Sequence, residues 1–254
     1  MAYSFSLSLA AVDMLLEQAG TPRAPFPFQV PHIGTTHDQR AQVREAVFDD
    51  LRTRGLMRGQ HLEDDVDLAL RTFARSPIAI TAAAQLESDG KRLFARACSD
   101  GQYAVVVRQD ENLLVFEEAR PTGIVPAIVD LLPLTPAAPG QSVTIAQPAA
   151  QPVRGPRSDE GYDPFAGVAA PRSHGGGQLR MVERIFEKPK KRVGQFTVFV
   201  PGAMLDPTAW FDTEDGRYFM TLREAPDGQT WITYAPADNA RIAQHLYAQL
   251  EGHL

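Results

Sequence analysis

Two runs of residues in this sequence have types and spacing that could do chemistry. Gly175–Gly177 follow His174, and a glycine-rich loop can hold a phosphate at a helix N-terminus. The run lacks the lysine and the serine or threonine of a P-loop, and we expect a strand after it instead of a helix. Glu63–Asp67 carries carboxylates that could bind a cation, but it lacks the glycine and the final glutamate of a calcium loop. We therefore interpret the glycines as a flexible start of a strand and the acidic residues as the first turn of a helix.

The other reactive side chains are scattered. Lys188–Arg192 is a basic cluster, but nucleic-acid binding needs a broader patch with aromatic residues, so we predict a polar hairpin loop. Six histidines lack the spacing of metal ligands. Cys98 has no second cysteine to pair with and is expected to be a small buried residue. Trp210 and Trp231 are interpreted as core or sheet-face residues. The sequence thus predicts no catalytic residue, no metal site and no cofactor.

Composition is that of a globular protein with a sizeable core. The chain has 254 residues, of which 44% are hydrophobic and 22% charged, which allows one large domain or two modest ones. The formal net charge of −6 argues against a nucleic-acid surface. The N-terminus has no basic region before Asp13, so we expect no signal peptide. Residues 131–153 are uncharged, but their prolines exclude a membrane span. We expect the protein in the reducing cytoplasm.

The first half is predicted to hold a strand, three helices and a four-stranded meander. Alternating apolar residues place the strand near residues 3–9. Apolar stripes and a cap at Thr35 or Thr36 place the helices at residues 12–19, 36–54 and 62–73. The apolar period then changes to two, which predicts strands at residues 78–86, 91–98, 102–108 and 113–117. Their short links make the meander antiparallel, and Pro121 begins a further helix.

The second half is predicted to repeat this plan after a connector rich in proline and alanine. Residues 147–163 of the connector are expected to be extended or poorly ordered, while residues 143–145 could form an edge strand. Five strands are predicted at residues 178–185, 195–200, 209–212, 217–222 and 230–234. Pro236 and Asp238 begin the final helix.

Each half ends as a strand meander followed by a helix that begins at a proline. The predicted fold class is therefore α+β, with antiparallel meander sheets, flanking helices and two subdomains related by a quasi-two-fold axis. The predicted divisions are an N-terminal subdomain (1–133), a connector (134–161) and a C-terminal subdomain (162–254), forming one structural unit.

The order of several short motifs resembles the ESX (type VII) secretion-associated EspG family of actinobacteria. In the first half these are FSLSL at 5–9, Asp13, GTT at 34–36 with Arg40, LRTRGL at 51–56, LLP at 131–133 and PGQSV at 139–143. In the second half they are Pro171-Arg172, GGGQ at 175–178, DTEDGRY at 212–218 and WITYAPAD at 231–238. Their shared order covers nearly the whole chain.

The resemblance implies a cytoplasmic chaperone that binds the tip of a helical PE–PPE-like heterodimer, keeps it soluble and directs it to its secretion system. It also implies an α+β fold without catalytic residues or a cofactor. No nucleic-acid or membrane partner is expected.

Two other functions stay open. Residues 247–251 match the permissive Tyr-x-x-x-Asp/Glu pattern of type VII secretion signals, so the chain could itself be cargo. It could also be an enzyme of unknown type.

Partner-binding residues are predicted on two elements. The first is the loop between the first two strands of the N-terminal meander, with Glu87, Ser88, Asp89 and Gly90. The second is the polar face of the C-terminal helix, with Arg241, Gln244 and His245. Loops and helix faces are favoured because the strand faces are committed to the core.

Overall fold

A computed structural model describes residues 3–21, 23–87, 90–147, 177–226 and 228–251. The chain divides into two compact units. The first unit comprises Met1–Thr81, Phe94–Ile128 and Phe199–Pro201. The second unit comprises Ala82–Leu93, Val129–Val198 and Gly202–Leu254.

Helices and strands occur in both units. The α-helices are α1 (Leu9–Gln18), α2 (His37–Thr53), α3 (Asp64–Arg75), α4 (Ile124–Val129), α5 (Gly177–Glu187) and α6 (Asn239–Glu251), with a 3₁₀ turn at Pro121–Gly123. The strands are β1 (Ser4–Ser8), β2 (Met57–Arg58), β3 (His61–Leu62), β4 (Ile78–Gln85), β5 (Arg92–Ser99), β6 (Ala104–Asp110), β7 (Leu113–Ala119), β8 (Val143–Gln147), β9 (Arg192–Val200), β10 (Ala203–Met204), β11 (Thr208–Thr213), β12 (Gly216–Glu224) and β13 (Thr230–Pro236).

The first unit packs helices against an antiparallel sheet. Strands β1, β7, β6 and β5 are neighbours in that order. The apolar stripes of α1, α2 and α3 join the inward side chains of these strands in one core. Phe116 of β7 stacks on Phe5 with ring centroids 4.9 Å apart and meets Phe73 of α3 edge-on at 5.5 Å. Burial of these apolar stripes therefore stabilises the three helices more than their intrinsic helix propensity does.

The second unit has a helix on each face of its antiparallel sheet, whose strand order is β9-β11-β12-β13-β8. Successive side chains of β12 point to opposite faces. Tyr218 and Met220 belong to the clusters that pack with Phe186 of α5, whereas Phe219 contacts His245 of α6. Strand β8 lies at the edge of this sheet, as predicted for residues 143–145.

The α+β prediction is confirmed, with antiparallel meanders and flanking helices. Several helix signals also act where the sequence places them, but Pro236, predicted to begin the final helix, is the last residue of β13, and α6 begins at Asn239. Thr36 caps α2 by accepting a hydrogen bond from the Gln39 amide at 3.2 Å, and Gly20, at φ +69°, follows the end of α1. The acidic residues of Glu63–Asp67 lie at the start of α3, as expected. The three sequence divisions and the quasi-two-fold relation stay predictions.

The strand predicted at residues 178–185 is wrong, because this segment is helix α5. Val182 is fully buried and Ile185 and Phe186 pack beside the core, an i, i+3, i+4 pattern that fits a helix and not a strand. Two further interpretations that depended on this strand are also wrong. Lys188–Arg192 links a helix to β9 and is not a hairpin loop, and Gly177 begins a helix.

The structure also contains the two-residue strands β2, β3 and β10, which the periodicity did not predict. Residues 148–163 of the predicted extended segment, and Ser88 and Asp89 of the predicted contact loop, lie outside the described residues.

Candidate interaction surface

The link between β4 and β5 is a tight polar turn. The Leu86 amide donates to the Lys91 carbonyl at 2.7 Å, and the Gly90 amide donates to the Glu87 carbonyl at 3.1 Å. Gly90 has a φ of +103°, which a residue with a Cβ rarely adopts. Glu87 and Gly90 are both exposed, and the Glu87 carboxylate lies 3.8 Å from the Lys91 ammonium. Of the four residues predicted in this loop, the structure thus places these two at the surface.

The base of this turn is held in place by β9. Arg192 donates from Nε to the Leu86 carbonyl at 3.2 Å and from Nη1 to the Asp212 carboxylate at 3.3 Å. One guanidinium therefore joins the turn to β11. The backbone next to Glu87 is thereby held in place, while the Glu87 carboxylate stays exposed.

The predicted face of α6 is only partly free. Arg241 and Gln244 are exposed, but His245 is partly buried. The His245 ring lies 5.5 Å from the Phe219 ring centroid, and the Arg241 guanidinium lies 5.9 Å from the same ring. Burial lowers the pKa of His245, which favours the neutral form of its imidazole. The structure thus brings Arg241 and His245 together on Phe219, and His245 is a packing residue as well as a surface residue.

Exposed apolar side chains are the feature that sequence reasoning missed. Among the described residues, the large exposed apolar side chains of the second unit are Leu134, Met181, Met204, Trp231 and Tyr247; those of the first unit are Leu68 and Leu113. Leu134 is 90% exposed and Met204 is 65% exposed. The second unit also contains both predicted contact elements, so it is the better candidate for a protein-binding surface. An available signal was the position of Met204, two residues after Gly202 of the Pro201-Gly202 turn.

The DTEDGRY motif has a structural role. Arg217 is fully buried, and its Nε and Nη2 donate to the two carboxylate oxygens of Asp212 at 2.7 and 3.0 Å. Its Nη2 also donates to the Pro133 carbonyl at 3.0 Å, and its Nη1 bonds to the Asn239 side chain. This ion pair therefore ties β11 and β12 to the segment after α4 and to the start of α6.

Motif residues Asp13 and Arg40 form a second polar cluster, in the first unit. Arg40 donates to the Asp13 carboxylate at 3.0 Å, to the Glu17 carboxylate at 2.5 Å and to the Ile33 carbonyl at 2.8 Å. Hydrogen bonding from Arg40 lowers the pKa of Glu17 and in turn raises that of Arg40. The cluster joins α1 to α2 and fixes the extended segment before α2.

The part of the chain that the structure describes holds neither a metal-binding cluster nor an exposed thiol. No group of three or more histidine, cysteine or acidic side chains there could hold a metal ion. Cys98 is fully buried, and burial raises the pKa of its thiol to about 11.

Within the same described residues, no helix has the length and apolar character needed to cross a membrane.

The fold is similar to the solved structure of the Mycobacterium tuberculosis type VII secretion system chaperone EspG5, in complex with a PE25–PPE41 dimer. The similarity covers 95% of this chain and 93% of that chain, with a TM-score of 0.63 and 10% sequence identity. At that identity the similarity establishes the fold. No curated protein is significantly similar to the chain in sequence. A sequence model of the EspG family matches residues 8–248, and the chain therefore belongs to the EspG family.

Proposed function

We propose that this protein is a cytoplasmic specificity chaperone of type VII secretion and not an enzyme. It binds the tip of a helical PE–PPE-like heterodimer and keeps that client soluble for export. The observation that carries the proposal is the EspG family match over residues 8–248. Similarity of fold to EspG5, which was solved with a PE25–PPE41 dimer, supports it.

The surface chemistry of the second unit suits such a client. Chaperoning an apolar helix tip requires apolar side chains that are exposed before binding and covered afterwards. Met204 and Leu134 meet this requirement, since more than half of each is exposed. Charged groups at the rim of an interface then set the orientation and the association rate. Glu87 and Arg241 are exposed charges on elements of the same unit.

Co-expression with PE–PPE pairs tests the function. A pair that is insoluble alone should become soluble with the chaperone and should copurify with it. Retention of every such pair in the insoluble fraction would contradict the proposal. Fractionation of the native host distinguishes a chaperone from a cargo protein, because cargo accumulates outside the cell and a chaperone does not.

Charge reversal tests the predicted contact elements. Asp89→Lys in the loop and Arg241→Glu on α6 should each weaken client binding. Both should leave the free energy of unfolding within about 0.5 kcal/mol of the parent, because Arg241 is exposed and the sequence predicts a turn at Asp89, and such positions bury little. Matched controls are Glu214→Lys in the β11–β12 turn and Arg180→Glu on α5, which are exposed in the second unit. Unchanged affinity for both test variants would place the client elsewhere.

A further inference from the structure

Strand β8 leaves one edge of the second unit's sheet open. Among the described residues, it pairs with β13 on one side and with no strand on the other. Hydrogen bonds of the β12–β13 ladder fix which way each backbone group points. The Ala237 amide donates to the Arg217 carbonyl at 3.0 Å, and the Ala225 amide donates to the Gln229 carbonyl at 2.8 Å. Odd-numbered residues of β13 therefore direct their backbone groups to β12, and even-numbered residues direct theirs to β8.

The backbone groups that face the open edge belong to Thr144 and Ala146. Val143 and Ile145 lie opposite even-numbered residues of β13, so their N–H and C=O groups are used in pairing with that strand. The alternation leaves the N–H and C=O groups of Thr144 and Ala146 directed outward. Both residues are exposed, and within the described ranges no residue hydrogen-bonds to these backbone groups. Two donors and two acceptors in extended conformation are thus available to another strand.

The edge strand of the first unit shows the protection that β8 lacks. The Tyr3 carbonyl and the Leu9 amide bond to the β7 side, so the even-numbered residues of β1 face outward. Arg54 donates from Nη2 to the outward carbonyl of Ser6, which covers that carbonyl and places a charge at the edge. Both devices discourage pairing with a second chain. Residues 131–153, which include β8, carry no charge at all.

We propose that β8 pairs antiparallel with β8 of a second copy of this chain, about a two-fold axis at Ile145. In this register Thr144 lies opposite Ala146 of the second copy, so outward groups meet outward groups and exchange about four hydrogen bonds. The two Ile145 side chains lie opposite each other and extend the apolar row that begins at Ile232.

A second copy suits this edge because the strand is complementary to itself. An uncharged strand can lie antiparallel to its own copy without bringing like charges together, and the same five residues serve on both sides of the axis. This pairing concerns the client-free chain and does not depend on the proposed chaperone function. A single pair of strands buries little area, so the dimer should dissociate in the micromolar range.

Sedimentation equilibrium of the full chain tests the pairing. The mass should rise with concentration from the 27.9 kDa of one chain toward twice that value. A mass of one chain at every concentration up to about 1 mM, the weak end of specific association, would overturn the proposal. Amide hydrogen exchange at Thr144 and Ala146 should be fast in dilute protein and should slow as the dimer forms. Slow exchange of both amides in the monomer would show that another segment of the chain covers the edge, and would also overturn the proposal.

Two double variants at the same exposed positions test the register. Thr144→Lys with Ala146→Lys puts lysine opposite lysine in both pairs, so this variant should stay monomeric. Thr144→Glu with Ala146→Lys puts glutamate opposite lysine in both pairs and should tighten the dimer by up to about tenfold. Each variant loses the Thr144–Thr233 hydroxyl contact, so each is the other's control for that loss. Equal dimerisation of the two variants would contradict the assignment to β8.

Mixing restores the pairing if the charges act across the axis. Thr144→Glu with Ala146→Glu should be monomeric alone and should form a mixed dimer with the two-lysine variant. Thermal unfolding of each variant shows that the separate chains are folded. Failure of the two folded variants to associate would be inconsistent with strand pairing at this edge.

Discussion

Replacement of Arg217 by methionine should destabilise the second unit strongly. Arg217 is fully buried, and its partner Asp212 is only 1% exposed. The two residues share hydrogen bonds of 2.7 and 3.0 Å, and the guanidinium also lies 4.6 Å from the Trp210 ring centroid. Methionine fills much of the space but leaves the Asp212 carboxylate without its main buried partner.

The expected magnitude follows from that buried carboxylate. Removing one member of a buried ion pair costs about 3–5 kcal/mol. One kcal/mol shifts the midpoint of a 150–250-residue domain by about 2–4 °C, so the midpoint should fall by about 6–20 °C. Thermal unfolding followed by circular dichroism and calorimetry measures this directly. Calorimetry also shows whether the two units unfold together or in separate steps.

Two further variants make the result specific. Arg223→Met changes an exposed arginine on the same strand and should stay within about 0.5 kcal/mol of the parent. The double variant Arg217→Met with Asp212→Leu should recover part of the loss, because no buried carboxylate is left without its arginine. Recovery is partial because Asp212 also accepts hydrogen bonds from Thr135 and Arg192. An Arg217→Met midpoint equal to that of Arg223→Met would refute this account of the pair.

Three other perturbations follow from single features. Glu17→Gln should make the free energy of unfolding depend less on pH between about pH 5 and 3. The arginine bond that lowers the pKa of Glu17 makes the folded state bind that proton less readily, so parental stability falls with pH there; an unchanged acid branch in urea titrations would contradict this. Gly194→Ala should cost about 1–3 kcal/mol, measured by denaturant unfolding. Its Cβ would lie 2.7 Å from that of Ala84, whereas Gly123→Ala meets nothing closer than 3.5 Å and should be tolerated; equal stability of the two variants would refute the steric argument. Cys98, with its raised pKa and no exposure, should react with a thiol reagent only as the protein unfolds, and rapid labelling of the folded chain would be inconsistent with burial.

Local chemistry was sufficient to predict most of the elements. The Thr36 cap, the glycine after α1 and the alternation along β4 to β7 are signals carried by neighbouring residues, and they led to the right elements. Helix α5 was missed although Val182, Ile185 and Phe186 have helical spacing. The expectation of a second strand meander outweighed that spacing.

The binding surface was less accessible to prediction. Turn residues were enough to place Glu87 and Gly90 at the surface. The packing of His245 on Phe219 depends on how α6 meets β12, which neighbouring residues do not determine. Burial of the Arg217–Asp212 pair likewise depends on the Pro133 and Asn239 segments, which are far away in sequence.

The most direct test of the chaperone function is the mass of the complex with a client. The chain, copurified with a PE–PPE heterodimer from its source, is analysed by size-exclusion chromatography with light scattering. The account predicts one soluble species containing one chaperone chain per heterodimer, reduced in amount by Arg241→Glu. Separate elution of the chain and of soluble heterodimers, for every pair tested, would contradict it.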